Sequence, residues 1–202
     1  MSPAKLSTDR LELVAATLEH ASAELESPEL LGSMLVAQVG SGWPPGEYDR
    51  QAQEYFRDKL REGGPAVVGW YAWYVVLRND CLPESVLVGA AGFCGPPNDG
   101  GEVEIGFSIL SAWEGRGYAT EAVKALVPHA FTESRVRRVI AHTTLQNLAS
   151  QRVLEKSGFK RASQGVEPGS LRFEASRVTL PFPAPEPPRS AADESASSRM
   201  CD

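Results

Sequence analysis

The chain has 202 residues, 42% hydrophobic and 23% charged, with a formal net charge of −6 at pH 7, which predicts one domain with a real core. Its three cysteines are too widely spaced for a disulfide framework or metal ligation, so we expect no metal and a reducing compartment, the cytoplasm. No secretory leader opens the chain, and its longest apolar run, residues 66–77, is too short to span a bilayer.

Charge is distributed unevenly along the chain. Residues 111–161 hold nine basic and four acidic side chains, which makes that segment +5 and leaves −11 for the remainder. This distribution argues against binding to long nucleic acid and favours a small polyanionic ligand held locally. The alternative is a chance cluster of basic residues on solvated helix faces.

In the first half of the chain, alternating apolar residues over 11–15 predict a strand, and Thr17 is a suitable N-cap for a helix ending near Glu26. Pro28 and Gly32 interrupt the pattern that follows. Residues 47–62 predict an amphipathic helix with Tyr55, Phe56 and Leu60 facing inward. Two β-rich runs, at 67–77 and 86–93, predict an antiparallel pair.

In the second half, strict alternation over residues 103–110 predicts a strand, in which Gly106 indicates a bulge or a close backbone approach. A helix is predicted over 118–131, with Pro128 expected to kink or shorten it. A strand at 136–143, a helix at 147–157 and strands at 159–166 and 171–180 complete a domain over residues 1–180. The Pro/Ser-rich residues 181–202 are expected to form a disordered tail.

Two glycines, Gly115 and Gly117, lie at the turn between the predicted strand 103–110 and the helix that follows. Glycine lets the backbone come close to a ligand, and the first amides of a helix lack intrahelical acceptors. Such a helix start is a ready seat for phosphate oxygens. Taken alone, Gly-x-Gly before a helix is equally compatible with a plain tight turn.

Four features, taken in order, resemble the GNAT superfamily of acetyl-CoA-dependent N-acetyltransferases. They are the strand that starts at Glu102, the Gly115-Arg-Gly-Tyr-Ala-Thr-Glu-Ala turn, the Asn147-Leu-Ala-Ser segment, and Leu154-Glu-Lys-Ser-Gly-Phe. Together with the opening Leu-x-Thr-x-Arg-Leu-x-Leu at residues 6–13, they are most similar to the RimJ/RimL-like ribosomal-protein N-terminal acetyltransferases. The resemblance covers residues 6–180. It implies an α/β (α+β) fold with a mostly antiparallel mixed sheet of six to seven strands, splayed at the acetyl-CoA site, and about four helices.

The resemblance also implies which residues hold acetyl-CoA. The amides of 115–120 would bind the diphosphate, pantetheine would lie along 108–110 like an added strand, and the Asn147 amide would bind pantetheine besides capping its helix. The implied set is Ser108, Ile109, Leu110, Gly115, Arg116, Gly117, Tyr118, Ala119, Thr120 and Asn147. Glu114 departs from the family pattern, and we expect its side chain to point outward.

The catalytic residues are less well defined by the resemblance. Many members use a Tyr seven residues after the Asn to protonate the departing thiolate, but Leu154 stands there, which leaves Ser150 as the candidate acid. Glu104 is the first candidate for the base that accepts the amine proton, because it lies on the strand face opposite the apolar residues. Glu167 is the second candidate, while His142 is more often structural at such a position.

The acceptor pocket is expected to use the turn-rich loop 43–48, with Trp43 and Tyr48, and Glu167 in the loop after the predicted strand 159–166. An aromatic in such a loop could instead only anchor a lid. The expected reaction is acetyl transfer to a primary amine, foremost a peptide or protein N-terminus. The alternatives are a small-molecule amine, such as an antibiotic, polyamine or amino-acid derivative, and an acyl-CoA-binding module without turnover. No nucleic acid or membrane partner is expected, and a homodimer sharing the sheet edge is compatible with the sequence.

Overall fold

The computed structural model describes residues 3–78, 85–164 and 169–177. The described strands are β1 (Lys5–Ser7), β2 (Leu11–Ala15), β3 (Ala37–Val39), β4 (Ala72–Leu77), β5 (Ser85–Phe93), β6 (Glu102–Ile109), β7 (Arg138–Thr144), β8 (Lys160–Gln164) and β9 (Ser170–Ser176). The described α-helices are α1 (Leu18–Glu26), α2 (Pro28–Leu35), α3 (Arg50–Gly63), α4 (Tyr118–Ala130) and α5 (Leu148–Lys156).

The strands form one sheet in the order β1-β2-β4-β5-β6-β7-β9-β8, with β3 paired to β5. All pairs are antiparallel except β6 with β7 and β3 with β5. The mixed, mostly antiparallel α/β architecture is as predicted, with nine strands and five helices in the described ranges rather than six to seven and about four. Strands β1 and β3 have three residues each, too few for a periodic signal in the sequence.

Helices cover both faces of the first part of the sheet. One core packs α4 and α5 against the sheet and includes Val103 and Ile105 of β6. The opposite core packs α1, α2 and α3 against the other face of β4 and β5. Since side chains alternate along β6, Glu104 lies on the face opposite Val103 and Ile105, as the sequence predicts.

Local sequence signals, such as N-cap residues, predict where most of the helices begin. Thr17 caps α1, and its hydroxyl accepts a hydrogen bond from the His20 amide. The sequence pattern does not predict helix α2, because Pro28 and Gly32 interrupt that pattern. Pro28 instead occupies the first turn, where its missing N–H has no helical acceptor, and the Ser27 hydroxyl accepts a hydrogen bond from the Leu30 amide.

Several predicted details are wrong. Strand β4 begins at Ala72 rather than at 67, since a 3₁₀ turn, Gly64–Val67, comes first. The ring of Tyr55 faces solvent with 47% exposure instead of facing inward. The bulge lies between β4 and β5, at Val75/Val76, while β6 pairs with β5 in unbroken register through Gly106. Helix α4 continues through Pro128 and ends at Ala130.

The sheet opens between β6 and β7. These strands pair only over Glu102–Glu104, opposite residues 138–140. Beyond Glu104, β6 stays paired with β5, and β7 stays paired with β9 as far as Thr144. Helices α4 and α5 each begin close after these two strands, so their N-termini flank the opening. This is the splay that the sequence predicts.

Some predicted features lie outside the described residues: the 79–84 connection, Cys81, Cys201, Glu167 and the tail at 181–202. In the ranges that are described, no helix is long and apolar enough to cross a bilayer. Nor do His, Cys, Asp or Glu side chains in those ranges gather in groups of three or more that could hold a metal ion.

Candidate active site

The turn between β6 and α4 contains both glycines in left-handed backbone conformations. Gly115 has φ 73° and Gly117 has φ 85°, values that a residue with a Cβ adopts only with strain. Gly117 is the N-cap of α4, and no side chain caps this helix. The sequence therefore needs glycine at both positions to turn directly from the strand into the helix.

The backbone amides of residues 115–120 have no hydrogen-bond acceptor among the described residues. The first amide bonded back into the turn is that of Glu121, which donates to the Gly117 carbonyl at 3.0 Å. Six consecutive unpaired N–H groups thus lie at the positive end of a 13-residue helix. Such an arrangement binds an anion, and the diphosphate of a nucleotide cofactor is of matching length.

The turn is fixed from the opposite side by the β1–β2 connection. Thr8 Oγ1 donates to Glu121 Oε1 at 2.6 Å, and Arg10 Nε donates to Glu121 Oε2 at 2.7 Å. Arg10 also donates to the Arg116 carbonyl at 3.1 Å. Desolvation acts to raise the pKa of Glu121, but these hydrogen bonds and the Arg10 charge lower it overall. The Thr-x-Arg of the opening motif thus positions the glycine turn, which the sequence did not reveal because about 110 residues separate the partners.

A cavity of about 610 Å³, here called the large cavity, lies in the opening between β6 and β7. Most of the predicted site residues border it: Ser108, Ile109, Gly115, Gly117, Tyr118, Ala119, Thr120, Asn147 and Ser150. The lining that was not predicted consists of Gly46, Glu47, Phe107, Trp113, Glu114, Ala149, Arg152, Val153 and Lys156. The large cavity therefore joins the glycine turn to the start of α5.

Two residues depart from the expected placement. Leu110 is buried, its amide donates to the Val88 carbonyl at 2.9 Å, and it does not border the large cavity. The Arg116 guanidinium lies 4.9 Å from the centroid of the Trp113 ring, and Arg116 is likewise outside the lining. Glu114 is exposed and borders the large cavity, and the outward direction expected of its side chain stays a prediction.

Asn147 and Ser150 are brought together at the start of α5. Asn147 Oδ1 accepts a hydrogen bond from the Ser150 amide at 3.0 Å, which is the N-cap that the sequence predicts. Because the cap uses the backbone of Ser150, its hydroxyl is left for other partners. Both residues border the large cavity.

The basic surplus of residues 111–161 does not form one patch. Arg152 and Lys156 border the large cavity. Arg135 instead pairs with Glu133 at 3.1 Å, and Arg138 pairs with Glu102 at 3.0 Å, both away from that cavity. Of the nine basic side chains in this segment, two, both on α5, therefore border the large cavity.

A second cavity of about 160 Å³, here called the small cavity, adjoins the large one and shares Glu47, Phe107 and Ser108 with it. Tyr48, predicted for the acceptor pocket, borders this cavity. Trp43 borders neither cavity. It packs edge-on against Tyr48 and therefore supports the wall from behind.

Behind this wall lies a buried carboxylate that sequence reasoning missed. Glu24 is 4% exposed and accepts four hydrogen bonds. The donors are Tyr48 and Tyr74 to Oε2, both at 2.8 Å, and Trp43 and Gln53 to Oε1, at 2.9 and 2.7 Å. Burial raises the pKa of Glu24, an effect that the four hydrogen bonds partly offset. The cluster fixes loop 43–48 and α3 against α1.

Glu104, the predicted base, is held by a neighbour on β7. Its Oε1 lies 2.8 Å from His142 Nδ1. His142 Nε2 is buried with no partner among the described residues, so the tautomer with the proton on Nδ1 satisfies this contact. Glu104 borders neither cavity. Gly106, two residues along the same strand face, borders the small cavity, and a Cβ at that position would meet nothing within 4 Å.

Comparison with known proteins identifies the family. The model of the GNAT acetyltransferase domain matches residues 10–160. The uncharacterized N-acetyltransferase YjdG of Bacillus subtilis is 30% identical over 154 residues, covering 76% of this chain and 88% of the relative.

Two solved structures share the fold. Ribosomal-protein-S5-alanine acetyltransferase from Vibrio fischeri has a TM-score of 0.58 at 15% identity, covering 86% of this chain and 96% of that one. The microcin C7 self-immunity acetyltransferase MccE, in complex with acetyl-CoA and AMP, has a TM-score of 0.57 at 13% identity, covering 84% and 93%.

Proposed function

The chain belongs to the GNAT acetyltransferase family, and on this basis we propose that it transfers the acetyl group of acetyl-CoA to a primary amine, foremost the α-amine of a peptide or protein. One observation carries the proposal: of the six residues 115–120 with unpaired amides, all but Arg116 border the large cavity, which adjoins an apolar pocket for a second substrate. Acetyl-CoA supplies a diphosphate for these amides and a thioester for the amine.

The edge of β6 fits the remaining part of acetyl-CoA. Beyond Glu104 the strand is paired on one side only, by β5, because β7 has separated from it. An extended amide chain such as pantetheine can add to an open strand edge by main-chain hydrogen bonds. Ser108 and Ile109 border the large cavity on this edge, and Asn147 faces them from the start of α5.

Amine protonation favours an α-amine as the acceptor. At pH 7, freeing a lysine-like amine of its proton costs about 4–5 kcal/mol, whereas a peptide α-amine with pKa of about 7.7–8.0 costs only about 1 kcal/mol. A carboxylate that accepts the proton through a water molecule is enough for a peptide α-amine. Glu104 fits this role, because it lies about 7 Å along the strand from Gly106 on the same strand face, and Gly106 borders the small cavity. Ser150, on the large cavity, fits the role of the acid that protonates the departing thiolate.

A small-molecule amine is the second candidate acceptor, since a pocket of about 160 Å³ also suits a compact ligand. The two candidates are separated by measuring thiol release from acetyl-CoA. The amine panel contains peptides with free N-termini, the same peptides blocked at the N-terminus but carrying lysine, and polyamines. We expect release with free N-termini and little with the blocked peptides. Turnover with polyamines alone would support the second candidate, and binding of acetyl-CoA without release for any amine would exclude catalysis.

A further inference from the structure

The small cavity has the chemistry of a side-chain pocket rather than that of a polar binding site. Two alanines on this face of the sheet, Ala72 and Ala90, leave room at its floor, and both are buried. Its wall is formed by the rings of Tyr48 and Phe56, which stack with their centroids 6.0 Å apart. An occupant would therefore meet mainly apolar surface.

The polar atoms near this cavity are engaged or uncharged. The Tyr48 hydroxyl donates to Glu24 and so points away from an occupant. Desolvation, together with the nearby Glu104 charge, raises the pKa of Cys94 to about 11, which keeps its thiol neutral at pH 7. Since an unpaired charge in such surroundings is strongly unfavourable, the cavity selects against charged side chains.

Glu47 is the exception, because it carries a charge and lies where the two cavities meet. It is exposed, it is the one charged residue among the described lining of the small cavity, and it also borders the large cavity. A carboxylate at the boundary between the two cavities meets an ammonium group at the point where an acceptor would approach the thioester. A charge-assisted hydrogen bond of this kind is stronger than a neutral one.

The size of the small cavity limits what it can hold. A dry apolar cavity of about 150 Å³ is known to take one benzene molecule. The small cavity, at about 160 Å³, is of the same size. Four or five carbon atoms of a branched aliphatic group fit within this volume, as does a single six-membered ring, whereas a fused two-ring group such as indole exceeds it.

We propose that the acceptor carries an uncharged apolar group, no larger than one six-membered ring, on the carbon next to its reacting nitrogen. This group occupies the small cavity, and Glu47 receives the amine. The inference rests on the proposed function and narrows it to a class of acceptors. Among peptide N-termini, it selects Val, Leu and Phe over Asp, Lys and Trp.

The test uses peptides that differ only in their first residue, with kcat/KM measured by thiol release. From Ala to Val to Leu, kcat/KM should rise about fourfold for each methylene buried. Peptides that begin with Asp or Trp should fall at least tenfold below Leu. Equal rates across the series, or a preference for Asp, would overturn the proposal while leaving acetyl transfer intact.

Substitutions test whether the preference among first residues arises in the small cavity. Ala52 borders the small cavity from α3, and Ala52→Leu should fill it, shifting the preference from Leu to Ala without changing the KM for acetyl-CoA. Gln51→Leu, on the exposed surface one residue earlier, is the matched control and should keep the wild-type preference. Glu47→Gln should raise KM for every acceptor at least tenfold, and an unchanged KM would contradict its role.

A binding measurement separates failure of this inference from failure of the proposed function. If no amine releases thiol, acetyl transfer is wrong, and the pocket is then tested with benzylamine alone by NMR titration. Wild-type protein should bind benzylamine in the small cavity, and the Ala52→Leu variant should not. Absence of binding to the wild type, or equal binding to both proteins, would overturn the pocket assignment itself.

Discussion

His142 Nδ1 lies 2.8 Å from Glu104 Oε1, and this contact joins β6 and β7 just beyond the last backbone pair between them. The imidazole N–H fixes the carboxylate at the opening of the sheet, on the strand face that leads through Gly106 to the small cavity. Glu104 therefore lies on the strand that borders both cavities, and we propose it as the acceptor of the amine proton.

Replacing Glu104 by Gln should lower kcat about 100-fold at pH 7, the usual size of a general-base contribution. The amide oxygen can still accept from His142, so the geometry is kept while the basicity is lost. The loss should shrink toward pH 9, because an α-amine with a pKa of about 7.7–8.0 then deprotonates unaided. A pH profile of kcat for both proteins measures this.

Glu102→Gln is the matched control on the same strand face. Glu102 pairs with Arg138 and Arg172, at 3.0 and 2.7 Å, and not with His142. Its replacement should leave the kcat profile close to that of the wild type. Equal losses in the Glu102 and Glu104 variants would assign both carboxylates to structure and remove Glu104 from the mechanism.

Replacing Ser150 by Ala should lower kcat about 100-fold if its hydroxyl protonates the thiolate, while the Kd for acetyl-CoA stays unchanged. Helix α5 keeps its cap in this variant, because Asn147 Oδ1 binds the Ser150 backbone amide. Asn147→Ala is the comparison: it loses a cap of about 1 kcal/mol and should weaken acetyl-CoA binding. Full turnover in Ser150→Ala would leave the thiolate to be protonated by water.

Replacing Glu24 by Ala should destabilise the fold strongly. Four donors would lose their acceptor in a buried site, which we expect to lower the free energy of unfolding by at least about 3 kcal/mol. For a chain of this length, that corresponds to a fall in melting temperature of about 6–12 °C. Calorimetry provides the measurement. Glu24→Gln retains an acceptor and should lose less, so equal losses in the two variants would argue against the hydrogen-bond account.

Stability should depend on pH through two opposing groups of residues. Burial lowers the pKa of His20 and of His129 in the folded protein, so the unfolded chain binds more protons and the free energy of unfolding falls as pH drops below about 6.5. Burial raises the pKa of Glu24 in the folded protein. The stability that Glu24 contributes is therefore present at low pH and is lost as pH rises through this raised pKa. The free energy of unfolding, measured with urea from pH 7.5 down to pH 4, should therefore fall more with decreasing pH in Glu24→Gln than in wild type. Identical slopes would contradict the assignment to Glu24.

Local patterns predicted the elements that carry local signals. The Thr17 cap, the alternation in β6, the two glycines and the Asn147 cap each act within a few residues, and the structure has each where the sequence places it. Helix α2 was missed although its signals, a Ser cap followed by Pro, are local as well. The proline looks like a break in the apolar pattern of the sequence, whereas Pro in the first turn is compatible with a helix.

Contacts between segments that are far apart in the chain could not be predicted from local sequence patterns. Glu24 gathers donors from residues 43–74, Arg10 meets Glu121, and His142 meets Glu104 across 38 positions. The exposure of Tyr55, like the burial of Leu110, depends on how elements pack rather than on their own periodicity. Resemblance to a family predicts a diphosphate-binding turn at residues 115–120, which stays a prediction. It could not supply Glu47 or the small cavity, because these depend on this chain's own side chains.

Calorimetric titration with coenzyme A and with pantetheine, which lacks the diphosphate, tests most directly whether the amides of 115–120 hold that group. Wild-type protein should bind coenzyme A at one site and pantetheine far more weakly. Gly115→Ala, which forces a Cβ into a backbone with φ 73°, should weaken coenzyme A binding at least tenfold, while Gly64→Ala, at φ 59° at the end of α3 and outside both cavity linings, should not. Equal affinity for the two ligands, or no binding of coenzyme A, would contradict the account.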